Sequence, residues 1–274
     1  MADPVVITVA PTGPLTTRDQ HPDLPLTPVE IGAAVEEACE AGAAVAHVHA
    51  RGSDGRPTAD PAVYAAIVEE IRSRCDVVVQ ASTGVGLEVS CEDRLEIVSS
   101  GEVDVAMATL NPASMTFGGG TFSNPPWFVE ALAEAMHERG IHPELEVYDL
   151  GHVGLCLELA ERGLIREPLQ FSFVMGVRGG MPGDPALLPQ LRSMIPAEAT
   201  WQAIGIGPAQ QRLLLAALAL GGNARVGFED NIYLERGRLA PSNADFVRRA
   251  AGLVAAAGRE LATPDDVRER FALV

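Results

Sequence analysis

The sequence predicts a (β/α)8 barrel of the α/β class, spanning residues 1–274 as one catalytic domain. Three observations predict it. Eight short apolar runs alternate with amphipathic helical stretches. The 274 residues suit one domain of that size, with no linker or low-complexity segment between the elements. Polar residues gather where the apolar runs end, which is where a barrel collects its chemistry. An open doubly wound sheet is the competing arrangement.

Val5-Val6-Ile7-Thr8-Val9-Ala10 reads as the first buried strand. Thr27-Pro28-Val29-Glu30 then opens a helix: threonine at the cap, proline in the first turn and a capping-box glutamate. That helix stops near Gly42, and Ala43 to His49 forms the second strand, closed by the turn Gly52-Ser53-Asp54-Gly55. Asp60-Pro61 caps a helix to about Arg74. Val77 to Ala81 is strand three, Glu92 to Ser99 a short helix and Val103 to Met107 strand four. A glycine-rich loop through Gly118-Gly119-Gly120 precedes a helix from Pro125 to Arg139. Leu145 to Tyr148 is strand five, followed by a helix from Val153 to Arg162, and Leu169 to Val174 is strand six. Another long loop and a helix to Met194 lead to strand seven, Thr200 to Ile204, and its helix from Pro208. Ala224 to Phe228 is strand eight, and helices near Asn243–Glu260 and Pro264–Phe271 end the chain.

The formal charge of −17 argues against a nucleic-acid or anionic-membrane partner. Met1-Ala2-Asp3-Pro4 shows no basic leader, and charges interrupt every apolar stretch before membrane-spanning length, so a cytoplasmic protein is expected. The four cysteines (Cys39, Cys75, Cys91, Cys156) are far apart in sequence and read as reduced thiols. The chain has no lysine; all 20 basic residues are arginines. That excludes Schiff-base aldolase chemistry, pyridoxal-phosphate attachment and a carbamylated-lysine metal bridge.

His47-Val48-His49 is the feature around which the chemistry assembles. Residues two apart on a strand project to one face, and two neutral imidazoles are a natural pair of ligands for zinc or a similar divalent ion. An open catalytic site needs a third protein ligand. Glu229 or Asp230 can supply it, because in a closed barrel strand eight lies beside strand one and near strand two. The other carboxylate is then free as a base, and Arg225 can orient it and hold its pKa low, or grip a substrate carboxylate. Ser82, Thr83, Thr109, Asn111, Glu146 and Asp149 also stand at strand ends. Gly205-Ile206-Gly207-Pro208 could bind an anion or be a plain turn.

Joined to His47-Val48-His49-Ala50-Arg51, Ser82-Thr83-Gly84 and Ala108-Thr109-Leu110, the run Arg225-Val226-Gly227-Phe228-Glu229-Asp230-Asn231-Ile232-Tyr233 resembles the β-keto acid cleavage enzymes. The resemblance extends from the first strand to Ala262-Thr263-Pro264-Asp265. It implies a zinc-dependent barrel, usually homotetrameric. The implied reaction converts a β-keto acid and acetyl-CoA into acetoacetate and a new acyl-CoA, through an enolate, a Claisen condensation and a retro-Claisen cleavage. It further implies His47, His49 and Glu229 as metal ligands, Asp230 as the base and Arg225 as its support. Ser82, Thr83 and Gly84 resemble the loop that meets the substrate carboxylate, and Thr109 and Glu146 resemble further active-site positions; Asn111, at the same strand end as Thr109, is expected to bind substrate with them. In the member acting on 3-keto-5-aminohexanoate, the first-strand loop carries a glutamate for the substrate ammonium. Leu15 stands at the matching place, so an uncharged or apolar tail is expected.

Two rivals fit parts of the pattern. Amidohydrolase-type metal hydrolases also use His-x-His in a barrel, but on the first strand, with further histidines and often a bridging lysine. A non-enzymatic binding protein would leave the polar ends of strands two and eight unexplained.

Overall fold

The computed structural model describes residues 3–273. The reading of the chain start as leaderless rests partly on Met1 and Ala2, which lie outside them, as does Val274 at the end of the expected domain. Eight parallel strands close into a barrel: β1 (Ile7–Val9), β2 (Val45–Val48), β3 (Val78–Ala81), β4 (Met107–Leu110), β5 (His142–Val147), β6 (Gln170–Met175), β7 (Thr200–Gly205) and β8 (Asn223–Val226). The open-sheet alternative is thereby excluded. Thr8 on β1 pairs with Arg225 of β8 on one side and with Val45 of β2 on the other. β2 and β8 therefore flank β1, and side chains leaving their ends meet in one sector of the barrel mouth.

The helices are α1 (Pro28–Glu40), α2 (Pro61–Arg74), α3 (Cys91–Ser99), α4 (Pro126–Arg139), α5 (Leu150–Glu161), α6 (Leu188–Met194), α7 (Gln210–Ala219), α8 (Asn243–Ala256) and α9 (Pro264–Arg270). α1 starts as its sequence signals predict. The Glu30 N–H donates to the Thr27 hydroxyl, and the Glu30 carboxylate accepts from the Thr27 N–H at 2.9 Å. A cap of this kind stabilises a helix by about 1 kcal/mol. Asp60 caps α2 by accepting from the Ala62 N–H. Apolar residues fill the layer between strands and helices, including Ile7, Ile31, Ile67, Phe128 and Phe171. Inside the barrel the filling is partly polar: Gln202 donates to Glu144 at 2.9 Å and to Ser172 at 3.0 Å. Among the described residues no helix is long and apolar enough to cross a membrane.

Several boundaries differ from the sequence reading. β4 runs Met107–Leu110, not Val103 to Met107. Val103 and Val105 are buried, but the paired residues begin at Met107, between Gln80 and His142. Apolar character reports burial, and burial is not strand pairing. The glycine-rich loop folds into a hairpin, Met115–Phe117 against Gly120–Phe122. A second hairpin joins Tyr233–Glu235 to Arg238–Leu239. Asp149 is an exposed helix cap accepting from the Gly151 N–H, not a site residue. The turn at Gly207 is a 3-10 turn, Gly207–Ala209, and its Gly207 N–H donates to the Asp230 carbonyl at 2.7 Å, which favours the plain-turn reading. Two of the cysteines far apart in sequence are neighbours: the Cys39 and Cys75 sulfurs lie 3.2 Å apart as free thiols where the ends of α1 and α2 meet.

Candidate active site and metal centre

His47 lies on β2 and His49 just beyond its end, and both are buried. Their rings lie 5.2 Å apart at 66°. His47 pairs in register with Gln80 of β3, whose amide oxygen is 2.8 Å from His47 Nδ1. With that oxygen accepting, the ring proton sits on Nδ1 and the Nε2 lone pair is left free for a metal.

The opposite half of the site comes from the end of β8. Gly227 has φ of +144°, and a side chain there would meet the backbone of Ala10, whose nitrogen lies 2.9 Å from the would-be Cβ. Only glycine makes this close turn. Beyond it the Glu229 N–H donates to the Ala10 carbonyl, while the Asp230 and Asn231 N–H groups donate to the Gly227 carbonyl. This pinning delivers two consecutive carboxylates to the barrel mouth. Glu229 Oε1 lies 3.3 Å from His49 Nε2, and Oε2 lies 3.4 Å from His47 Nε2. One ligand atom from each of these three residues falls within 4.8 Å of the others.

Arg225 ties the carboxylates together. Its Nε and Nη2 donate to the two oxygens of Asp230, each at 3.1 Å, in a two-pronged contact. Nη2 also donates to Glu229 at 2.6 Å, and Nη1 donates to Glu146 at 3.3 Å. Tyr148 donates its hydroxyl to the other oxygen of Glu146 at 3.3 Å. Burial pushes Glu229 up, but Arg225, His49 and His47 outweigh it and hold the carboxyl well below the usual range. Burial raises Asp230, against Arg225 and with Glu229 adding to the rise. Burial also pushes Glu146 up to about 7, although Arg225 opposes it. Burial lowers His49; burial and Arg225 also oppose a charge on His47, but Glu229 and Glu146 together leave it raised.

A divalent cation fits these donors. Buried His47 Nε2 and Glu229 Oε2 have no hydrogen-bond partner among the described residues. Glu229, whose carboxyl is held well below the usual range, also brings a negative charge to a buried place, where a dication would meet it. Two imidazoles and one carboxylate form a donor set common for zinc.

Above the cluster is a cavity of about 390 Å³. His49, Ser82, Gly84, Glu146, Arg225, Glu229 and Asp230 all line it, so these sequence-predicted residues are brought together. Thr83, Thr109 and Asn111 are not in its lining. The Thr83 hydroxyl donates to the Thr109 carbonyl at 2.7 Å, and the Thr83 N–H donates to the Thr109 hydroxyl at 3.0 Å. Those two threonines fasten neighbouring strand ends to each other. Asn111 differs: its buried amide has no hydrogen-bond partner among the described residues, and a side chain on Gly84 would lie 3.7 Å from its Nδ2.

Sequence reasoning missed Gln80, Tyr148 and the hairpin residues Phe117 and Phe122. The one available signal was Gln80 itself, an amide in the otherwise apolar run Val77-Val78-Val79-Gln80-Ala81. Arg51 belonged to the quoted motif without a role. It donates to the carbonyls of Gly13, Thr16 and Gly55, clamping the loop after β1 over the site.

A family model described as beta-keto acid cleavage enzyme matches residues 4–273. The chain is 36% identical over 275 residues to a 3-keto-5-aminohexanoate cleavage enzyme of Fusobacterium nucleatum subsp. nucleatum, covering 100% of this chain and 99% of the relative. It is 35% identical over 278 residues to a 3-oxoadipate:acetyl-CoA acetyltransferase of Cupriavidus necator, covering 100% and 96% respectively. Among solved structures, the binary complex of ObcA with oxaloacetate superposes with a TM-score of 0.80 at 24% identity, over 92% of this chain and 68% of the other, which supports the fold.

Proposed function

Because the chain belongs to the β-keto acid cleavage enzymes, acyltransferases acting on β-keto acids, we propose that it performs their reaction at the His47–His49–Glu229 cluster, with Asp230 as the base. The observation that carries this assignment is the Asp230 carboxylate held two-pronged by Arg225 beside the three converging ligands. The substrates are a β-keto acid and acetyl-CoA, and the products are acetoacetate and the acyl-CoA of the remaining chain.

His47, His49 and Glu229 would hold zinc, or another divalent ion, which when bound supplies a Lewis acid for the developing enolate oxygen. Asp230 takes a proton from C2 of the β-keto acid. The C2 carbanion attacks the acetyl carbonyl of acetyl-CoA, and the CoA thiolate leaves. That thiolate then attacks the original keto carbon, the bond from this carbon to C2 breaks, and Asp230 returns its proton to the acetoacetate carbanion. Atoms balance without a redox partner or a lysine. Arg225 keeps Asp230 aimed at C2 throughout. Ser82 and Gly84, in the cavity lining, would meet the substrate carboxylate through the hydroxyl and the close backbone approach, and Asn111, outside that lining, would support them with its unpaired amide near Gly84. Thr83 and Thr109 act by holding that loop, and Glu146 by anchoring Arg225.

We also assign one catalytic domain to the whole chain, a homotetrameric assembly and a cytoplasmic location. The assembly rests on family resemblance and is checked by light scattering. The function is tested by incubating the zinc-loaded protein with acetyl-CoA and β-keto acids. Acetoacetate should form in step with a new acyl-CoA, stop on chelation and return with zinc. Release of free CoA or hydrolysis without acetoacetate would favour the metal-hydrolase reading instead.

A further inference from the structure

The geometry points to a tail subsite for uncharged hydrocarbon, making the substrate a β-keto acid with an aliphatic chain beyond its keto carbon. This rests on the reaction assigned above and goes beyond it by choosing among substrates.

The cavity walls are apolar on several elements at once. Leu15 comes from the loop after β1, Leu87 from the loop after β3, Phe117 and Phe122 from the hairpin, and Ile204 and Ile206 from the end of β7. Leu15 is 58% exposed and Leu87 39% exposed, so two large apolar side chains stand open beside a cavity, grouped as a ligand would require. The backbone around Leu15 is also held in place. The Arg51 clamp grips the carbonyls of Gly13 and Thr16 on either side of it.

A charged tail finds no buried partner free there. Of the charged lining residues, Glu146, Arg225, Glu229 and Asp230 are already joined in one hydrogen-bonded cluster. Both oxygens of Glu146 are already engaged, by Arg225 and by the Tyr148 hydroxyl, so an ammonium tail would compete with those two donors for it. Arg178 is the remaining charge in the lining, and it is exposed, where pairing with a carboxylate tail is weak and screened. The aromatic rings do not form a cage for a quaternary ammonium either. The Arg94 guanidinium lies 4.7 Å over the Phe122 ring, so that ring already carries a cation. Phe117 meets Phe122 and Tyr148 edge-to-face, at 6.1 and 6.0 Å, so the rings pack one another. An ionised tail would lose hydration against hydrocarbon without compensation.

The test uses the zinc-loaded full chain and four acids: 3-oxohexanoate, 3-keto-5-aminohexanoate, 3-oxoadipate and an analogue ending in trimethylammonium. Binding by titration calorimetry without acetyl-CoA should favour 3-oxohexanoate by about tenfold or more over each charged acid. Equal or tighter binding of any charged acid overturns the proposal. Leu15→Glu, at an exposed position where folding is not at stake, should weaken 3-oxohexanoate and tighten the aminated acid. An unchanged ratio between them also overturns it. Turnover with acetyl-CoA separates the two readings. If 3-oxohexanoate binds best yet none of the four yields acetoacetate, the tail subsite stands and the assigned reaction falls. If the charged acids are cleaved best, the reaction stands and the tail subsite falls.

Discussion

His47 and Gln80 face each other across the β2–β3 pairing, with the imidazole Nδ1 2.8 Å from the amide oxygen and both side chains buried. Gln80 does not line the cavity. It selects the tautomer that leaves His47 Nε2 free and fixes the ring plane. Gln80→Leu keeps the volume and removes the acceptor, so zinc affinity should fall by about 10- to 100-fold in a chelator-competition titration. Unchanged affinity would remove this role from Gln80.

Asp230→Asn keeps shape and removes the basic oxygen. The three ligands are untouched, so bound zinc should stay near one per chain while kcat falls by about a hundred- to ten-thousand-fold. Metal analysis and steady-state rates on one preparation check both halves. Loss of zinc together with activity would mean that Asp230 belongs to the metal set instead.

Gly13 backs onto Glu229. A Cβ there would lie 3.0 Å from Glu229 Cβ and 3.1 Å from its Cδ, and closer still to Cγ. Glu229 has little room to yield, being held by Arg225 at 2.6 Å. Gly13→Ala should therefore displace the ligand and lower kcat/KM by about a hundredfold, the usual penalty for a misplacement near 1 Å. Wild-type kinetics in this variant would show that the loop relaxes instead.

Acid stability should respond to His142 at the start of β5, whose ring packs 4.6 Å from that of Phe271. Burial, with Arg166 adding, pushes its pKa down from 6.5 to about 4. The unfolded chain then binds the proton first. The contribution is complete above pH 6.5 and declines as pH falls toward 4, amounting to about 2 kcal/mol between pH 7.5 and pH 5. Urea unfolding at those two pH values should show a smaller difference for His142→Leu than for the wild type. An identical difference would mean that other groups set the acid limit.

The strand-eight and strand-two motifs were legible because their chemistry is local. His-x-His on a strand shares a face whatever surrounds it, and Glu229-Asp230 follows Arg225 at a short, fixed spacing. The α1 cap was legible for the same reason, since Thr27 and Glu30 satisfy each other's backbone within one turn. β4 was misplaced because Val103 and Val105 are buried without being paired, a distinction held by the neighbours Gln80 and His142. Thr83 and Thr109 were legible as strand-end residues, but only the fold shows that the Thr83 hydroxyl donates to the Thr109 carbonyl between β3 and β4.

By itself, then, the alternation of apolar runs and helices determined a barrel, and the His47, His49, Glu229, Asp230 and Arg225 spacing marked its candidate site. Tertiary structure decided the rest. Only closure of β8 onto β1 brings residues some 180 positions apart within 3.4 Å, as His47 and Glu229 are. It alone sets Gln80 behind His47, Gly13 behind Glu229 and Arg51 across the loop that carries Leu15. Those contacts join residues distant in the chain, and no sequence periodicity encodes which distant partner a side chain will meet.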